Sequence, residues 1–261
     1  MSATVLITGC STGIGRACAV ELAGRGYRVV ATARRIETVE DLRGVEHVQL
    51  DVTDDRSVAA AVERAGPVDV LVNNAGISAW GPVELLGPTE LERVLATNVV
   101  GVARVTTAVL PGMRERRRGS IVNVSTAALR GFPLLGAYAA SKAALEAWTE
   151  ALRLEVAALG ITVALVEPAG VESAFASNRR VVAVRNGDYR PLQEGALAAL
   201  AGMRSGAMAA EEVAAAIADL VDAADPPLRN PVGGDAARIL AERRTIDDAS
   251  YEAAIQDTLS S

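Results

Sequence analysis

The sequence predicts an α/β chain: one domain on a doubly wound parallel sheet of about seven strands, with helices on both faces. Three observations predict it. Short runs of Val, Ile and Leu, such as TVLIT at 4–8, YRVVAT at 27–32 and VDVLV at 68–72, alternate with longer amphipathic stretches. Near-continuous apolar runs of that length suit parallel strands buried on both faces. Half of the 261 residues are apolar but only 3% are aromatic, so Ala, Val and Leu carry the packing. Glycines crowd the turn TGCSTGIG between the first strand and the first helix.

Composition narrows the function classes. A core of this length needs no covalent staples. The net charge of −6 argues against a nucleic-acid footprint. The basic run Arg114–Arg118 follows a helical stretch and reads as a solvated helix end, favoured by the macrodipole. Cys10 and Cys18 match neither a disulfide framework nor a zinc ligand set, which fits a reduced, cytoplasmic setting. No signal peptide and no apolar run long enough to span a membrane is expected. His47 is the only histidine, so Ser-His-Asp chemistry and multi-histidine metal sites are excluded and no metal is expected.

In chain order, Thr4–Thr8 is a strand, and Gly9, Gly13 and Gly15 form the turn into a helix over Ile14–Arg25. Glycines there let backbone approach a pyrophosphate, whose charge meets the helix N-terminus. The second strand, Tyr27–Thr32, ends in Ala33-Arg34-Arg35, and the third, His47–Leu50, ends in Asp51-Val52. Thr53 and Asp54 then open a helix over Arg56–Ala65. The fourth strand, Val68–Val72, runs into NNAG at Asn73–Gly76. Residues 78–88 read as a loop broken by Gly and Pro, with Trp80 and Pro82 facing a site mouth. A helical stretch over Thr89–Ala96 leads to Asn98 and a long helix to about Arg117. The fifth strand is Ser120–Val124, and the sixth is Ile161–Val166. From Phe175 to about Gly206 the pattern weakens, and an amphipathic helix follows over Ala209–Val221. There are no internal repeats and one domain is expected across 1–261.

The chemistry concentrates in Ser125–Lys142, STAALRGFPLLGAYAASK. Tyr138 and Lys142 are four residues apart at the start of a helical run, hence on one face, one turn apart. A neighbouring ammonium favours the phenolate and makes a tyrosine usable as a general acid/base. Ser125 lies thirteen residues before the tyrosine, at a strand's carboxyl end, where such sheets place ligands. Taken with TGCSTGIG, NNAG and Asn98, this set resembles the short-chain dehydrogenase/reductase family, closely over about residues 3–175. TGCSTGIG, the SAF after the sixth strand and the altered C-terminus look like the branch with 17β-hydroxysteroid and retinol dehydrogenases.

The resemblance implies a Rossmann-type fold and reversible hydride transfer between a nicotinamide and the carbonyl or secondary alcohol of a hydrophobic small molecule, as a ketoreductase. It makes Ser125, Tyr138, Lys142 and Asn98 catalytic: Ser125 and Tyr138 bond the carbonyl oxygen, Lys142 lowers the tyrosine pKa, and Asn98 relays protons through a water. It gives the cofactor Gly9, Ser11, Gly13, Ile14 and Gly15 at the pyrophosphate, Asp51 and Val52 at the adenine, and Asn74, Ala75 and Gly76 beside the ribose. Tyr138 and Lys142 also face the nicotinamide ribose, and Val171 and Ser173 the carboxamide. After the second strand an acidic residue would bond the ribose hydroxyls, but here Ala33 is followed by Arg34 and Arg35. A guanidinium suits a phosphate dianion, so NADP(H) is expected over NAD(H). Thr12 stands where some NADP-preferring relatives carry a second basic residue, so preference rather than exclusivity is expected.

The 175–206 segment takes the place of the family's substrate lid, with Trp80, Leu129, Phe132 and Leu135 as apolar substrate walls. Where many relatives end in a strand and a V-D-G-G turn, this chain reads PPLRNPVGGDAARILAERR and continues with more helix over 207–261. A homodimer or homotetramer is expected, through helices at about 98–117 and 137–158 whose outer faces would carry Val102, Val105 and Ala151. Two further classes stay open at this point: a cofactor-recycling epimerase or dehydratase, and a non-catalytic NADP(H)-sensing protein.

Overall fold

The computed structural model describes residues 2–127, 131–172, 175, 179–182, 187–204 and 207–260. Leu129 and Ser173, expected at substrate and cofactor, lie outside the described residues.

Strand β1 (Thr4–Ile7) leads to α1 (Gly13–Gly24), β2 (Arg28–Ala33), β3 (Glu46–Gln49), α2 (Asp55–Ala65) and β4 (Val70–Asn73). A two-residue strand β5 (Ala79–Trp80) precedes α3 (Val83–Leu95), a π-helical turn over Ala96–Val100, and α4 (Gly101–Arg116). Then come β6 (Gly119–Val124), α5 (Gly136–Val156), β7 (Ile161–Pro168), the short β8 (Arg180–Val181) and α6 (Arg190–Arg204). The chain finishes with α7 (Ala210–Asp222), β9 (Arg229–Val232), α8 (Ala236–Thr245) and α9 (Asp248–Ser260). Seven strands form one sheet in the order β3-β2-β1-β4-β6-β7-β9, every pair parallel. The order reverses between β1 and β4, where doubly wound sheets open a crevice at the strands' carboxyl ends.

Strand period explains the two cores. Val5, Ile7, Val29, Ala31, Val70, Val72, Val122 and Val124 point to one face, where Cys18, Ala19 and Leu22 of α1 and Val213, Ala214 and Ile217 of α7 cover them. Their neighbours Leu6, Val30, Leu71 and Ile121 point to the other, against Val58 and Ala61 of α2, Val105, Val109 and Met113 of α4, and Leu152 and Val156 of α5. Side chains alternate along a strand, so a continuous apolar run serves both layers. At the start of α2 the Asp54 carboxylate accepts from the Arg56 and Ser57 amides at 2.7 and 2.9 Å. Such a cap is worth about 1 kcal/mol.

Several expectations are corrected. The segment after α7 does contain a closing strand, since β9 pairs with β7 at Leu165–Arg229 through Pro168–Val232. Pro231 is tolerated because β9 is an edge strand, where a missing N–H need not interrupt a ladder. The weakly patterned 175–206 segment holds a full helix, α6, packed on α9. Its apolar residues Leu192, Ala196, Ala199 and Leu200 join Trp80, Phe132 and Leu134 together with Ile255 and Leu259. Val102 and Val105 do not lie on an outer face: both are buried in the chain's own interior, and only Ala151 of the three is exposed.

The helical run Val83–Arg116 does have the length and apolarity of a membrane span, contrary to the expectation of none. Here it breaks at Gly87 and turns on Pro88, and it buries Leu86, Val94, Val102, Val105, Val109 and Met113 against the sheet and neighbouring helices. Of its apolar window, 39% is buried inside the fold. Arg114–Arg118 is exposed, as expected, and its guanidinium groups tie the helix end to neighbouring chain: Arg116 donates to the Val68 carbonyl at 2.6 Å and Arg118 to Asp69 at 3.0 Å.

Candidate active site

The crevice is built first by backbone. Gly9 follows β1 at φ +75°, in the left-handed region that favours glycine, and a Cβ there would lie 2.8 Å from the Ala75 Cα. A Cβ on Gly15 would run into the Gly9 carbonyl oxygen and the Asn74 amide. The Asn74 amide donates to the Thr8 and Gly9 carbonyls, both at 3.0 Å, and the Thr8 hydroxyl accepts from the Asn74 and Ala75 amides at 3.0 Å. NNAG is thereby fastened to the glycine turn. Thr12 makes no side-chain cap on α1, and no acidic residue stands in its first turn. The first amides of a twelve-residue helix are left facing the crevice without a competing carboxylate, which suits an anionic pyrophosphate. Gly13, Ile14 and the half-buried Ser11 line this turn. The cradle fits a dinucleotide.

At the end of β2, Arg34 and Arg35 are exposed, and among the described residues neither guanidinium forms an ion pair. After β3 the Asp51 carboxylate accepts from the Thr53 amide at 2.9 Å and the Thr53 hydroxyl at 2.7 Å, and Val52 is buried. Gly76 sits beside Asn98, whose Oδ1 would be 3.4 Å from a Cβ there. Val171 bridges to Met208 at the foot of the segment after β7.

Asn98 occupies the π-helical turn between α3 and α4. Such bulges recur at functional sites because they turn a side chain out of helical register. Its amide oxygen accepts from the Ile77 N–H at 2.8 Å, and its NH2 donates to the Ile77 carbonyl and to the Ser141 hydroxyl, both at 2.9 Å. Asn98 is thus bonded between the segment after NNAG and α5.

On α5, the Lys142 ammonium donates to the Val124 carbonyl at 2.7 Å and lies 5.8 Å from the centroid of the Tyr138 ring. Burial lowers the lysine to about 8, against an upward pull from Glu146. Burial pushes the Tyr138 phenol up instead of down, and Phe175 packs on its ring with centroids 5.5 Å apart. The net shift of the phenol is thus upward, opposite in direction to the expected depression by the lysine. Ser125 continues the β6–β7 ladder, its amide donating to the Val166 carbonyl at 2.7 Å. Its hydroxyl donates to the Glu146 carboxylate at 2.8 Å.

The expected substrate walls are part of a compact cluster. Trp80 and Phe132 are buried and Leu135 is half-buried. Arg179 lies 4.5 Å over the Trp80 ring, and β5 pairs with β8 at Ala79–Arg180 and Trp80–Val181. A surface groove of about 410 Å³ between α2 and α4 is lined by Asp55, Val58, Arg104 and Thr107, and none of the four candidate catalytic residues borders it.

Two functional candidates went unread in the sequence, Glu146 and Phe175. Glu146 was findable, since it follows Lys142 by four residues and so continues the face that carries Tyr138. Phe175 carried no such signal, because its partner is a helix 37 residues earlier in the chain.

A glycine cradle at the sheet's switch point, with serine, tyrosine, lysine and asparagine gathered around one strand end, defines the class: a Rossmann-type dinucleotide-binding oxidoreductase. The short chain dehydrogenase model matches residues 3–181. The chain belongs to the short-chain dehydrogenase/reductase family. It is 37% identical over 236 residues to a 3-ketodihydrosphingosine reductase of Bacteroides thetaiotaomicron, covering 88% of this chain and 87% of that protein. It is 44% identical to human retinol dehydrogenase 8 over 186 residues, 66% of this chain and 60% of that protein. Among solved structures, a short-chain dehydrogenase from Streptomyces avermitilis superposes with a TM-score of 0.82 at 35% identity, over 98% of this chain and 96% of that one.

Proposed function

We propose that this protein is an NADP(H)-dependent ketoreductase that interconverts a carbonyl and a secondary alcohol on a hydrophobic small molecule. The observation that carries the reading is the convergence of Ser125, Tyr138, Lys142 and Asn98 beside the Gly9–Gly15 cradle. The nicotinamide, when bound, supplies or accepts the hydride. Gly9, Ser11, Gly13, Ile14 and Gly15 would hold its pyrophosphate, Asp51 and Val52 the adenine, and Asn74, Ala75, Gly76 and Lys142 the riboses, with Val171 at the carboxamide.

The chain's own residues do the proton work. Tyr138, held protonated by burial, is the acid that gives its phenolic proton to the carbonyl oxygen as charge develops there. Ser125 fixes that oxygen. Lys142, with its pKa near 8, is mostly charged at neutral pH and stabilises the tyrosinate left behind. Asn98, held by Ile77 and Ser141, would position the water that relays protons between Lys142 and solvent. Arg34 and Arg35, exposed and without ion-pair partners among the described residues, support a 2′-phosphate over a bare ribose. A ketone on an apolar body is supported by the Trp80–Phe132–Leu134 cluster and by the ketone named for the reductase relative. The 175–206 segment, with α6, acts as its lid.

The test is loss of reduced-nicotinamide absorbance with NADPH and then NADH against a panel of hydrophobic ketones. NADPH should support turnover better, Tyr138→Phe should lower it by about 10²–10⁴, and Arg34→Ala should narrow the gap between cofactors. Equal use of both cofactors, or a phenylalanine variant of near-normal rate, overturns the reading. We further propose a homodimer or homotetramer built on the helices at about 98–117 and 137–158, supported by the exposed Val100 and Leu154, and sedimentation velocity showing only monomer would sink it. The two free, buried thiols support a cytoplasmic setting, which recovery in an extracellular fraction would overturn.

A further inference from the structure

Behind Ser125 lies a buried cluster of charges that the proposed chemistry does not use. Glu146 projects from α5, and its carboxylate takes the Ser125 hydroxyl proton at 2.8 Å. Arg229 from β9 donates to Glu146 Oε2 at 2.9 Å, and Arg243 from α8 donates to the same oxygen at 2.7 Å. Arg229 also pairs with Glu167 and Glu150. Burial alone would raise the Glu146 carboxyl, but bonds from Arg243, Ser125 and Arg229 hold it below the usual carboxylate range. It is therefore ionised, and an ionised carboxylate only accepts. The serine has one proton, and that proton points to Glu146. Its lone pairs are what remain for the site.

We propose that Glu146 is the positioning residue of Ser125, and that Arg229 and Arg243 hold Glu146, so that the C-terminal 229–243 segment aligns the serine. The inference rests on the reading of Ser125 as a group that touches substrate. Two consequences follow from the arrangement. In this orientation the hydroxyl receives a hydrogen bond, from the Tyr138 phenol or from an alcohol, instead of donating one. To donate to a carbonyl oxygen it must turn away from Glu146, and the two arginines keep that carboxylate compensated when it does. The C-terminal segment thus acts on the site without touching substrate. A lone carboxylate in the same place would resist the turn, because breaking its bond to the serine would leave it buried and uncompensated.

A double-mutant cycle separates positioning from mere scaffolding. Glu146→Gln should lower kcat about ten- to a hundredfold, a fraction of the loss typical of removing an oxyanion-hole donor, with the dissociation constant of NADPH unchanged. In a Ser125→Ala background the same substitution should change kcat by less than about twofold, because the group it acts through is gone. Arg243→Gln gives the same pattern more weakly, and Arg243→Lys restores most of the rate; this pair serves if Glu146→Gln fails to fold. Equal losses with and without the serine overturn the proposal, as does a Glu146→Gln variant of undiminished kcat. An infrared difference spectrum of Ser125→Ala against wild type needs no substrate. It should show a shifted carboxylate stretch that is missing when both proteins carry Glu146→Gln. If wild type turns over no ketone, the band shift still supports the alignment and only the ketoreductase reading falls, while an absent shift overturns the alignment itself.

Discussion

The Phe175 ring packs against the Tyr138 ring with centroids 5.5 Å apart and planes tilted by 50°. The contact covers part of the Tyr138 ring, which is half-buried in the fold. Phe175→Ala should let water reach Tyr138 and relax the upward push on its pKa. Ultraviolet titration of tyrosinate should then begin at lower pH than in wild type, and the difference should vanish in a Tyr138→Phe background. An unchanged titration would show that Phe175 does not shield the phenol.

Lys142 makes stability depend on pH in a defined direction. Its ammonium falls from an ordinary 10.5 to about 8 in the fold. Between those values the unfolded chain binds the extra proton, so this group's contribution to stability rises with pH from about 8 to about 10.5. Below about 8 the penalty of the buried charge is fully present. Cys10 acts the other way, since burial raises its thiol from 9.0 to about 12. Denaturant unfolding of wild type and Lys142→Met, compared at each pH, cancels the thiol. The stability difference, wild type minus variant, should climb across that window, and a flat difference would refute the assignment.

The glycine cradle tolerates no added methyl at Gly15. Its Cβ would meet the Gly9 carbonyl oxygen, and the Asn74 amide that clamps NNAG to the turn. Gly15→Ala should cost about 1–3 kcal/mol of stability, the usual range for overpacking, and should weaken NADPH binding by an order of magnitude or more. Denaturant melts and NADPH fluorescence read the two effects separately. A variant with native stability and native affinity would mean that the turn relaxes freely.

Helix α9 closes the apolar cluster around Trp80. Gly195 of α6 lies against the Leu259 carbonyl, and a Cβ there would collide with it. Gly195→Val should part α6 from α9, admit water to Trp80 and shift its fluorescence to the red. Trp80 is almost fully buried now, so the shift has a clear starting point. Unmoved emission would show that α9 is not what seals the cluster.

Much of this molecule was legible from local pattern. The parallel sheet followed from short Val, Ile and Leu runs, and six of its strands were located to within one or two residues. The Tyr138–Lys142 face and the glycine turn followed from helical spacing and from the backbone needs of a strand-to-helix turn. Strand β9 escaped because it contains Pro231 and little apolar alternation. It is a strand only because β7 offers a free edge beside it.

What the sequence by itself determined is therefore the architecture, the family and the candidate set of site residues. The tertiary structure alone decided how that set is poised. Arg229 reaches Glu146 across 83 residues, and Arg243 across 97, so no local periodicity could announce the cluster behind Ser125. The same holds for Phe175 over Tyr138, and for α6 under α9. The physical reason is that periodicity reports which face of an element is apolar, through geometry repeated every two or 3.6 residues. Which distant charge or ring meets that face is fixed only when the sheet closes and the elements pack.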